Sequence, residues 1–245
     1  EYNPFEAIKT NILGTQNVIE ACLKENVEAA VCIGTDKAVA PYNTYGATKH
    51  LMERLFITAS NYLNPDLHKT RFICVRYGNV LGSSGSVIPK FIEQVKNDKP
   101  ISMTDPTMTR FNITMDQAID LIFKAIKNGY GGEVFIPKLK AYRLDRLRDA
   151  IFDSLNIQND TIQIPVRPGE KFHESLISQD ELRNTFENDE NYIIIDEKSQ
   201  DEILKKWKNL KPTNLTERYS SDKVDILTKE ELKEILLKEG FFTGN

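Results

Sequence analysis

The sequence has few cysteines and no long apolar run, and these absences exclude several kinds of protein. Cysteines occur only at Cys22, Cys32 and Cys74 of the 245 residues. Their odd number and wide spacing predict free thiols in a reducing compartment, with neither disulfides nor a metal site. No apolar stretch approaches the roughly 20 residues that cross a bilayer. We therefore expect a cytoplasmic protein with no membrane span in this chain.

An excess of positive charge is also absent. The chain has 32 lysines and arginines against 36 aspartates and glutamates, which gives a formal net charge of -4. Nucleic-acid binding needs lysines and arginines clustered on one surface, so a nucleic-acid partner is not expected. Because 40% of the residues are hydrophobic, the chain can bury a sizeable core. It is predicted to be globular, with one large domain or two small ones.

No strand followed by a glycine-rich turn opens the sequence, although later segments predict a parallel sheet. The apolar runs at 29–33 and 72–75 flank a helical stretch at 45–62, which is the spacing of a strand–helix–strand crossover. The first turn of a dinucleotide-binding sheet holds the pyrophosphate, and the glycine cluster at 82–86 comes too late to be that turn. We therefore predict an α/β, Rossmann-like parallel sheet with its N-terminal strands missing, in the later part of a longer protein.

The regular alternation of strands and helices weakens along the chain. Asn3 and Pro4 are typical of a helix start, and apolar residues at three- and four-residue steps up to Cys22 predict a long helix facing a core. Residues 1–136 are predicted to be the remaining part of a dinucleotide-binding Rossmann domain, with a substrate-side insertion at about 80–110. Residues 137–245, with strands expected at 161–164 and 192–195, are predicted to form a smaller C-terminal α/β substrate domain.

The stretch "TDKAVAPYNTYGATKH" combines residue types that suit alcohol oxidation. Tyr45 and Lys49 lie four residues apart, on one face of a predicted helix. An ammonium group stabilises a neighbouring phenolate, so such a tyrosine can take the proton of a hydroxyl group during oxidation. The spacing alone is not specific, because Tyr219 and Lys223 match it too. Thr35 strengthens the case, since it lies at the end of a predicted strand, where open α/β sheets bind ligands.

Asp36 and Lys37 allow two interpretations. Adjacent acidic and basic residues after a strand most often form a solvated loop. Alternatively, they supply an acid and a base for an elimination reaction that the tyrosine alone cannot run.

Five segments together resemble one family. "NPFEAIKTNILGTQNVIEAC", "TDKAVAPYNTYGATKH", "RYGNVLGSSGSVIPKF", "DPTMTRF" and "RPGEKFHE" are similar in order and spacing to the UDP-N-acetylglucosamine 4,6-dehydratases of the extended short-chain dehydrogenase/reductase superfamily. The resemblance runs from the first residue to about Glu174 and is strongest to the inverting enzymes that open pseudaminic acid synthesis. Single segments are shared with sugar-nucleotide epimerases, whereas the Asp-Lys pair together with "RPGEKFHE" is more specific.

The resemblance implies a reaction and its participants. The substrate would be UDP-N-acetylglucosamine, the cofactor NADP rather than NAD, and the product a UDP-6-deoxy-4-keto-N-acetylhexosamine with C5 inverted. This product would serve bacterial surface-glycan or pseudaminic acid synthesis, and the protein would be a homo-oligomer. Tyr45 favours inversion of C5. In the similar membrane-tethered dehydratases that retain the C5 configuration, the position of Tyr45 is commonly a methionine.

The resemblance also implies roles for individual residues. Tyr45 would serve the redox step, Asp36 would be the acid and Lys37 the base of dehydration, and Asn11 would brace the helix. The implied catalytic residues are Thr35, Asp36, Lys37, Tyr45 and Lys49. The implied cofactor-binding residues are Tyr45, Lys49, Tyr77, Gly78, Asn79 and Val80. The implied substrate-binding residues are Asn79, Val87, Ile88, Pro89, Phe91, Thr104, the diphosphate ligands Arg110 and Arg167, and the ribose ligand Glu170.

Three other functions remain open from the sequence. A retaining 4,6-dehydratase would share most of these residues. A UDP-sugar 4-epimerase needs the tyrosine and lysine but no elimination. A catalytically incompetent fragment would only bind a sugar nucleotide or a partner protein.

Overall fold

The helices and strands follow the apolar periodicity of the sequence. The structure is a computed structural model that describes residues 2–62 and 68–242. Within these ranges the α-helices are α1 (Pro4–Ile8), α2 (Gly14–Lys24), α3 (Thr44–Thr58), α4 (Val87–Lys96), α5 (Met115–Asn128), α6 (Leu144–Leu155), α7 (Gln200–Lys206) and α8 (Lys229–Lys238). The strands are β1 (Ala29–Ile33), β2 (Arg71–Val75), β3 (Ile101–Met103), β4 (Thr109–Phe111), β5 (Glu133–Pro137), β6 (Ala141–Arg143), β7 (Thr161–Gln163), β8 (Ser175–Ile177), β9 (Thr185–Glu187), β10 (Asn191–Ile195), β11 (Lys211–Pro212) and β12 (Tyr219–Ser220).

The chain divides into two compact units, and each is built from three segments. Unit 1 comprises Glu1–Tyr77, Gln117–Lys138 and Ser175–Tyr219. Unit 2 comprises Gly78–Asp116, Leu139–Glu174 and Ser220–Asn245. The division into a cofactor domain before residue 137 and a substrate domain after it stays a prediction, and the compact units divide the chain differently.

Unit 1 contains a six-stranded sheet with the strand order β1-β2-β5-β10-β9-β11. The strands β1 and β2 are parallel, as the crossover spacing predicts, and β5 pairs with β2 in parallel as well. This confirms the Rossmann-like α/β class. The sheet continues with β10, β9 and β11, each antiparallel to the strand before it in the sheet. The predicted strand at 192–195 therefore lies in this main sheet rather than in a separate C-terminal domain, because its five buried residues pair with β5.

Helices cover both faces of this sheet. Because side chains alternate along a strand, neighbouring residues of β2 face opposite layers. Phe72 packs against Phe56 of α3, with the ring centroids 5.1 Å apart. Ile73 belongs to a hydrophobic cluster on the other face, together with Leu121 and Ala125 of α5. The contact between Phe56 and Phe72 thus fixes the position of α3 on one face of the sheet.

The first helical region confirms one prediction and corrects another. Helix α1 starts after Asn3, whose side chain accepts a hydrogen bond from the backbone N–H of Glu6. A π-helical segment, Lys9–Leu13, joins α1 to α2. The expected burial against a core is wrong for the described residues, since Thr15 alone is buried from α1 to α2 and Val18 is 52% exposed. The reason is that β1 is an edge strand and no described strand lies beyond it.

Unit 2 has its own core. Apolar faces of α4, α6 and α8 form one cluster, with Phe91, Leu147 and Leu232 each at most 1% exposed. Two short sheets, β3 with β7 and β4 with β6, border this cluster. Among residues 2–62 and 68–242, no helix has both the length and the apolar character that crossing a membrane requires.

Candidate active site

The carboxyl end of β1 places Thr35 and Asp36 beside the end of β2. Thr35 caps a short 3-10 helix, Asp36–Ala38, by accepting a hydrogen bond from the backbone N–H of Lys37. The backbone N–H of Asp36 donates to the carbonyl oxygen of Tyr77 at 3.2 Å. Because β1 and β2 are parallel, both chain segments leave the sheet at the same edge, where α/β proteins bind ligands.

The Asp36 carboxylate is buried and only half satisfied. Asp36 is 1% exposed, and its Oδ1 accepts hydrogen bonds from the Thr35 hydroxyl at 2.9 Å and the Lys37 ammonium at 3.0 Å. Its Oδ2 is also buried and accepts no hydrogen bond within the described residues. A buried oxygen without a donor costs free energy, so this position favours a ligand that donates a hydrogen bond. The solvated-loop interpretation is therefore wrong for Asp36.

Helix α3 begins directly against this loop. The Asn43 side chain caps it by accepting a hydrogen bond from the Gly46 N–H at 2.7 Å. Gly46 lies so close to the loop that an added Cβ would come within 2.3 Å of the Lys37 carbonyl oxygen. Only glycine allows this approach, which sets the first turn of α3, with Tyr45, beside Lys37.

Tyr45 and Lys49 occupy successive turns of α3, and their surroundings differ. Tyr45 is 45% exposed, so its phenol is open to a ligand. The Lys49 ammonium donates to the carbonyl oxygen of Ile33, at the end of β1, at 3.2 Å and contacts the Met52 sulfur at 3.3 Å. These contacts direct the lysine toward the carboxyl edge of the sheet. Thr35, Asp36, Lys37, Tyr45 and Lys49 thus lie within one part of unit 1.

Asn11 lies beneath this helix, as the resemblance implies. Its side-chain amide donates to the Thr48 hydroxyl at 3.0 Å, and that hydroxyl donates to the carbonyl oxygen of Tyr45 at 3.0 Å. The π-helical segment that carries Asn11 is therefore bonded to α3 between Tyr45 and Lys49.

The predicted cofactor-binding run starts at Tyr77. Tyr77, Gly78, Asn79 and Val80 are all half-buried. Burial raises the pKa of the Tyr77 phenol above its ordinary value. Their role in binding a cofactor stays a prediction.

In unit 2, the predicted phosphate and ribose ligands contact each other. Arg110 is buried, and its Nη2 donates to Oε1 of Glu170 at 3.1 Å. Its Nη1 donates to the carbonyl oxygens of Thr109 at 2.8 Å and Phe172 at 3.0 Å. The guanidinium thus joins β4 to the "RPGEKFHE" loop.

Arg167 and Glu170 are the ends of a turn within that loop. The Glu170 N–H donates to the Arg167 carbonyl at 3.0 Å, and Gly169 supplies the left-handed conformation with φ of +78°. Glu170 Oε2 accepts a hydrogen bond from the Arg167 N–H at 3.4 Å, whereas the Arg167 side chain is exposed. The structure therefore brings three residues from two sequence segments, Arg110, Arg167 and Glu170, into one cluster.

Most of the implied substrate-binding residues between positions 87 and 104 lie in or against the core of unit 2. Ile88 and Phe91 are each 1% exposed and pack inside unit 2. Val87 and Pro89 are half-buried, and Thr104 is 8% exposed with its hydroxyl donating to the Met108 sulfur at 3.2 Å. Ligand contact by these side chains stays a prediction, and the structure assigns Ile88 and Phe91 a packing role.

A buried ionic cluster that no sequence motif indicates lies beside α3 and the end of β2. Arg76 directly follows β2 and is 1% exposed, and its guanidinium bonds to Glu53 of α3 and to Glu181. One signal was available: Glu53 follows Lys49 by four residues, so Tyr45, Lys49 and Glu53 share a helix face.

Relatives of known sequence match most of the chain. A family model described as polysaccharide biosynthesis protein matches residues 1–196. The inverting UDP-N-acetylglucosamine 4,6-dehydratase of Campylobacter jejuni strain 81-176 is 41% identical over 195 residues, which are 79% of this chain and 57% of the relative. The UDP-glucose 4-epimerase of Rickettsia massiliae is 37% identical over 239 residues, which are 97% of this chain and 69% of the relative.

Solved structures share the fold. The X-ray structure of Pen from Bacillus thuringiensis aligns with a TM-score of 0.86 and 38% identity, covering 97% of this chain and 70% of Pen. Several sugar-nucleotide epimerases and dehydratases solved with NAD align with TM-scores of 0.57 to 0.62 and identities of 15% to 20%. The latter likeness shows the fold alone.

Proposed function

The chain belongs to the polysaccharide biosynthesis protein family, and we propose that it acts as a UDP-N-acetylglucosamine 4,6-dehydratase that inverts C5. The observation that carries this proposal is the buried Asp36 carboxylate, paired with Lys37 directly beside the helical turn of Tyr45. An acid and a base next to a redox tyrosine suit an elimination that follows an oxidation. The identity to the Campylobacter dehydratase supports the same reaction.

The first proposed step is oxidation of the sugar at C4. Tyr45 removes the proton of the C4 hydroxyl group, and the half-buried Thr35 hydroxyl binds the sugar oxygen. Lys49, whose ammonium lies at the end of β1, stabilises the phenolate. The result is a ketone at C4, which makes the C5–H bond acidic.

The second step is loss of water across C5 and C6. A proton passes from the Lys37 ammonium to the Asp36 carboxylate with which it is paired. The neutral amine of Lys37 then takes the C5 proton, and Asp36 gives its proton to the C6 hydroxyl as the C–O bond breaks. The unpaired Oδ2 of Asp36 suits this role, because a proton on that oxygen has no acceptor within the described residues and can be donated to the substrate. A proton returned to C5 on the opposite face completes the inversion.

The cofactor is proposed to be NADP, held by Tyr45, Lys49 and the run from Tyr77 to Val80. NADP bound there would supply the hydride chemistry, as acceptor of the hydride from C4 and donor of a hydride to C6, so that no net reductant would be consumed. The residues present fit such a group, since Lys49 lies at the carboxyl edge of three parallel strands and Tyr45 is open to solvent.

The nucleotide part of the substrate is proposed to bind to unit 2. Guanidinium groups match the oxygen geometry of phosphates, and a carboxylate accepts hydrogen bonds from the two ribose hydroxyls. We therefore assign Arg110 and Arg167 to the diphosphate and Glu170 to the ribose.

A UDP-sugar 4-epimerase is the second candidate. The epimerase of Rickettsia massiliae supports it, because its similarity extends over 97% of the chain. This reaction needs Tyr45 and Lys49 but leaves Asp36 and Lys37 without a chemical role.

Incubation of the complete protein with UDP-N-acetylglucosamine in deuterated water tests both candidates. The dehydratase gives a product lighter by one water and labelled at C5, and proton NMR reports whether C5 is inverted or retained. The epimerase gives a product of unchanged mass with an inverted C4. If neither product forms, both proposals fail and a binding role is left.

The wider setting follows from the product. A 6-deoxy-4-keto sugar nucleotide suits the synthesis of a bacterial surface glycan or of pseudaminic acid, and the family description supports the former. We propose that the protein acts in the cytoplasm as a homo-oligomer, which size-exclusion chromatography with light scattering would measure.

A further inference from the structure

The strongest unassigned feature is the ionic cluster of Arg76, Glu53 and Glu181 in unit 1. Arg76 Nε donates to Oε2 of Glu53 at 3.0 Å, and Nη2 bonds to Oε1 of the same carboxylate. Nη2 also donates to Oε1 of Glu181 at 2.8 Å, and Nη1 donates to the carbonyl oxygen of Leu176 at 2.8 Å. The arginine is therefore held in one orientation by a two-pronged contact to α3.

This cluster contacts each chain segment that carries a candidate catalytic residue. Glu53 shares its helix face with Tyr45 and Lys49, and Arg76 immediately precedes Tyr77, whose carbonyl oxygen binds the Asp36 N–H. An added Cβ on Gly34, the residue before Thr35, would lie 3.0 Å from Oε2 of Glu53.

A buried ion pair is weak evidence of stability, because removing both ions from water costs about as much as their attraction returns. It does fix orientation, since the guanidinium fork binds a carboxylate in one plane. Apolar contacts of the same volume are not directional.

We propose that Arg76 and Glu53 are positioning residues of the active site, and that they align α3 with the ends of β1 and β2. Glu181 adds a second carboxylate at the same guanidinium nitrogen, Nη2. This inference rests on the proposed function, because alignment matters to the redox step of Tyr45.

The triple variant E53L/R76M/E181Q removes the three charges, and the side-chain amide that it introduces at position 181 can still accept the hydrogen bonds that Ser178 donates there. We expect kcat to fall about 100-fold with KM for UDP-N-acetylglucosamine within about twofold, because a small misplacement of reacting groups costs a factor of this order. The urea midpoint of unfolding should stay close to that of the unmodified protein. E190Q, which alters an exposed glutamate paired with Lys124, is the control and should change none of these quantities.

Amide hydrogen exchange supplies a readout that needs no turnover. Peptides covering Asp36 and the first turns of α3 should lose about tenfold protection in the triple variant, while peptides of β10 should not change. If the triple variant unfolds, R76K replaces it, since lysine keeps the charge without the planar fork and should give the same loss of protection and of kcat. Unchanged kcat and protection in a folded variant would overturn the inference. Absence of turnover in the unmodified protein would overturn the proposed function alone, and the exchange experiment would still decide on positioning.

Discussion

Gly46 of α3 lies against the backbone of Lys37, with space for a hydrogen atom but not for a methyl group. The Cβ of an alanine at this position would be 2.3 Å from the Lys37 carbonyl oxygen and 3.1 Å from Oδ1 of Asn43. This contact joins the start of the tyrosine-bearing helix to the loop of the predicted acid and base. The relative position of the redox and elimination residues therefore depends on one missing side chain.

The first prediction is that G46A impairs both stability and activity. Because the new methyl group must push backbone apart, we expect a loss of about 1–3 kcal/mol in the free energy of unfolding and a fall in kcat. G14A is the matched control, because its nearest contact would be an ordinary 3.6 Å and alanine stabilises a helix interior by about 0.5–1 kcal/mol. Urea unfolding and product formation measure the two effects, and equal behaviour of both variants would contradict the prediction.

The parallel strands and the tyrosine site could be predicted because their signals are local. Apolar runs gave β1 and β2, and the four-residue spacing placed Tyr45 and Lys49 on one face of α3. The same spacing at Tyr219 and Lys223 is coincidental, since Tyr219 is 4% exposed and its hydroxyl donates to the Pro137 carbonyl. Only the preceding strand end distinguishes the two pairs.

The ionic cluster and the placement of β10 could not be predicted, because both depend on contacts between distant segments. Arg76 and Glu181 are 105 residues apart, and no sequence pattern near either residue indicates that the two are in contact. The apolar run at 192–195 shows that a buried strand exists there but not which sheet it joins. The packing of Ile88 and Phe91 inside unit 2 was not predicted either, because an apolar helix face can pack in a core or contact a ligand.

Tyr45 is predicted to be essential to turnover. Y45F removes the hydroxyl that takes the substrate proton but keeps the ring, so kcat should fall by about 10²–10⁴ with little change in stability. Y219F is the control, because it makes the same change in the other tyrosine–lysine pair and should leave kcat unaltered. A Y45F variant with full activity in the mass assay would refute the assignment.

Asp36 and Lys37 are predicted to act in separable steps. In deuterated water, D36N should return UDP-N-acetylglucosamine labelled at C5, because the base still removes that proton while the hydroxyl cannot leave. K37M should return it unlabelled, and neither variant should form the dehydrated product. NMR of the recovered substrate distinguishes the two variants, and labelling by K37M would assign the base to another residue.

Arg110 is predicted to bind the diphosphate of the substrate. R110M should raise KM for UDP-N-acetylglucosamine by about 10- to 100-fold and change kcat little. A factor of this size corresponds to the loss of one or two hydrogen bonds to a charged group. R148M, which removes an arginine that donates to the neighbouring Asp149, serves as the control in the same unit. If R110M weakens the binding of uridine as much as the binding of UDP, the substitution disturbs the "RPGEKFHE" loop rather than a contact to the phosphates.

Glu133 gives a pH dependence of stability whose sign can be stated in advance. Burial raises the pKa of its carboxyl group above the ordinary value, although the N–H groups of Tyr130 and Gly131 donate to it and partly oppose the shift. The folded state thus holds this proton more tightly than the unfolded state, so the contribution of Glu133 is most favourable below about pH 4.5 and decreases as the pH rises through the folded pKa. We expect the difference in unfolding free energy between the unmodified protein and E133Q to decline over this range and then become constant. Urea unfolding at half-unit pH steps measures it, and a difference that grows with pH would show that the two backbone hydrogen bonds outweigh burial.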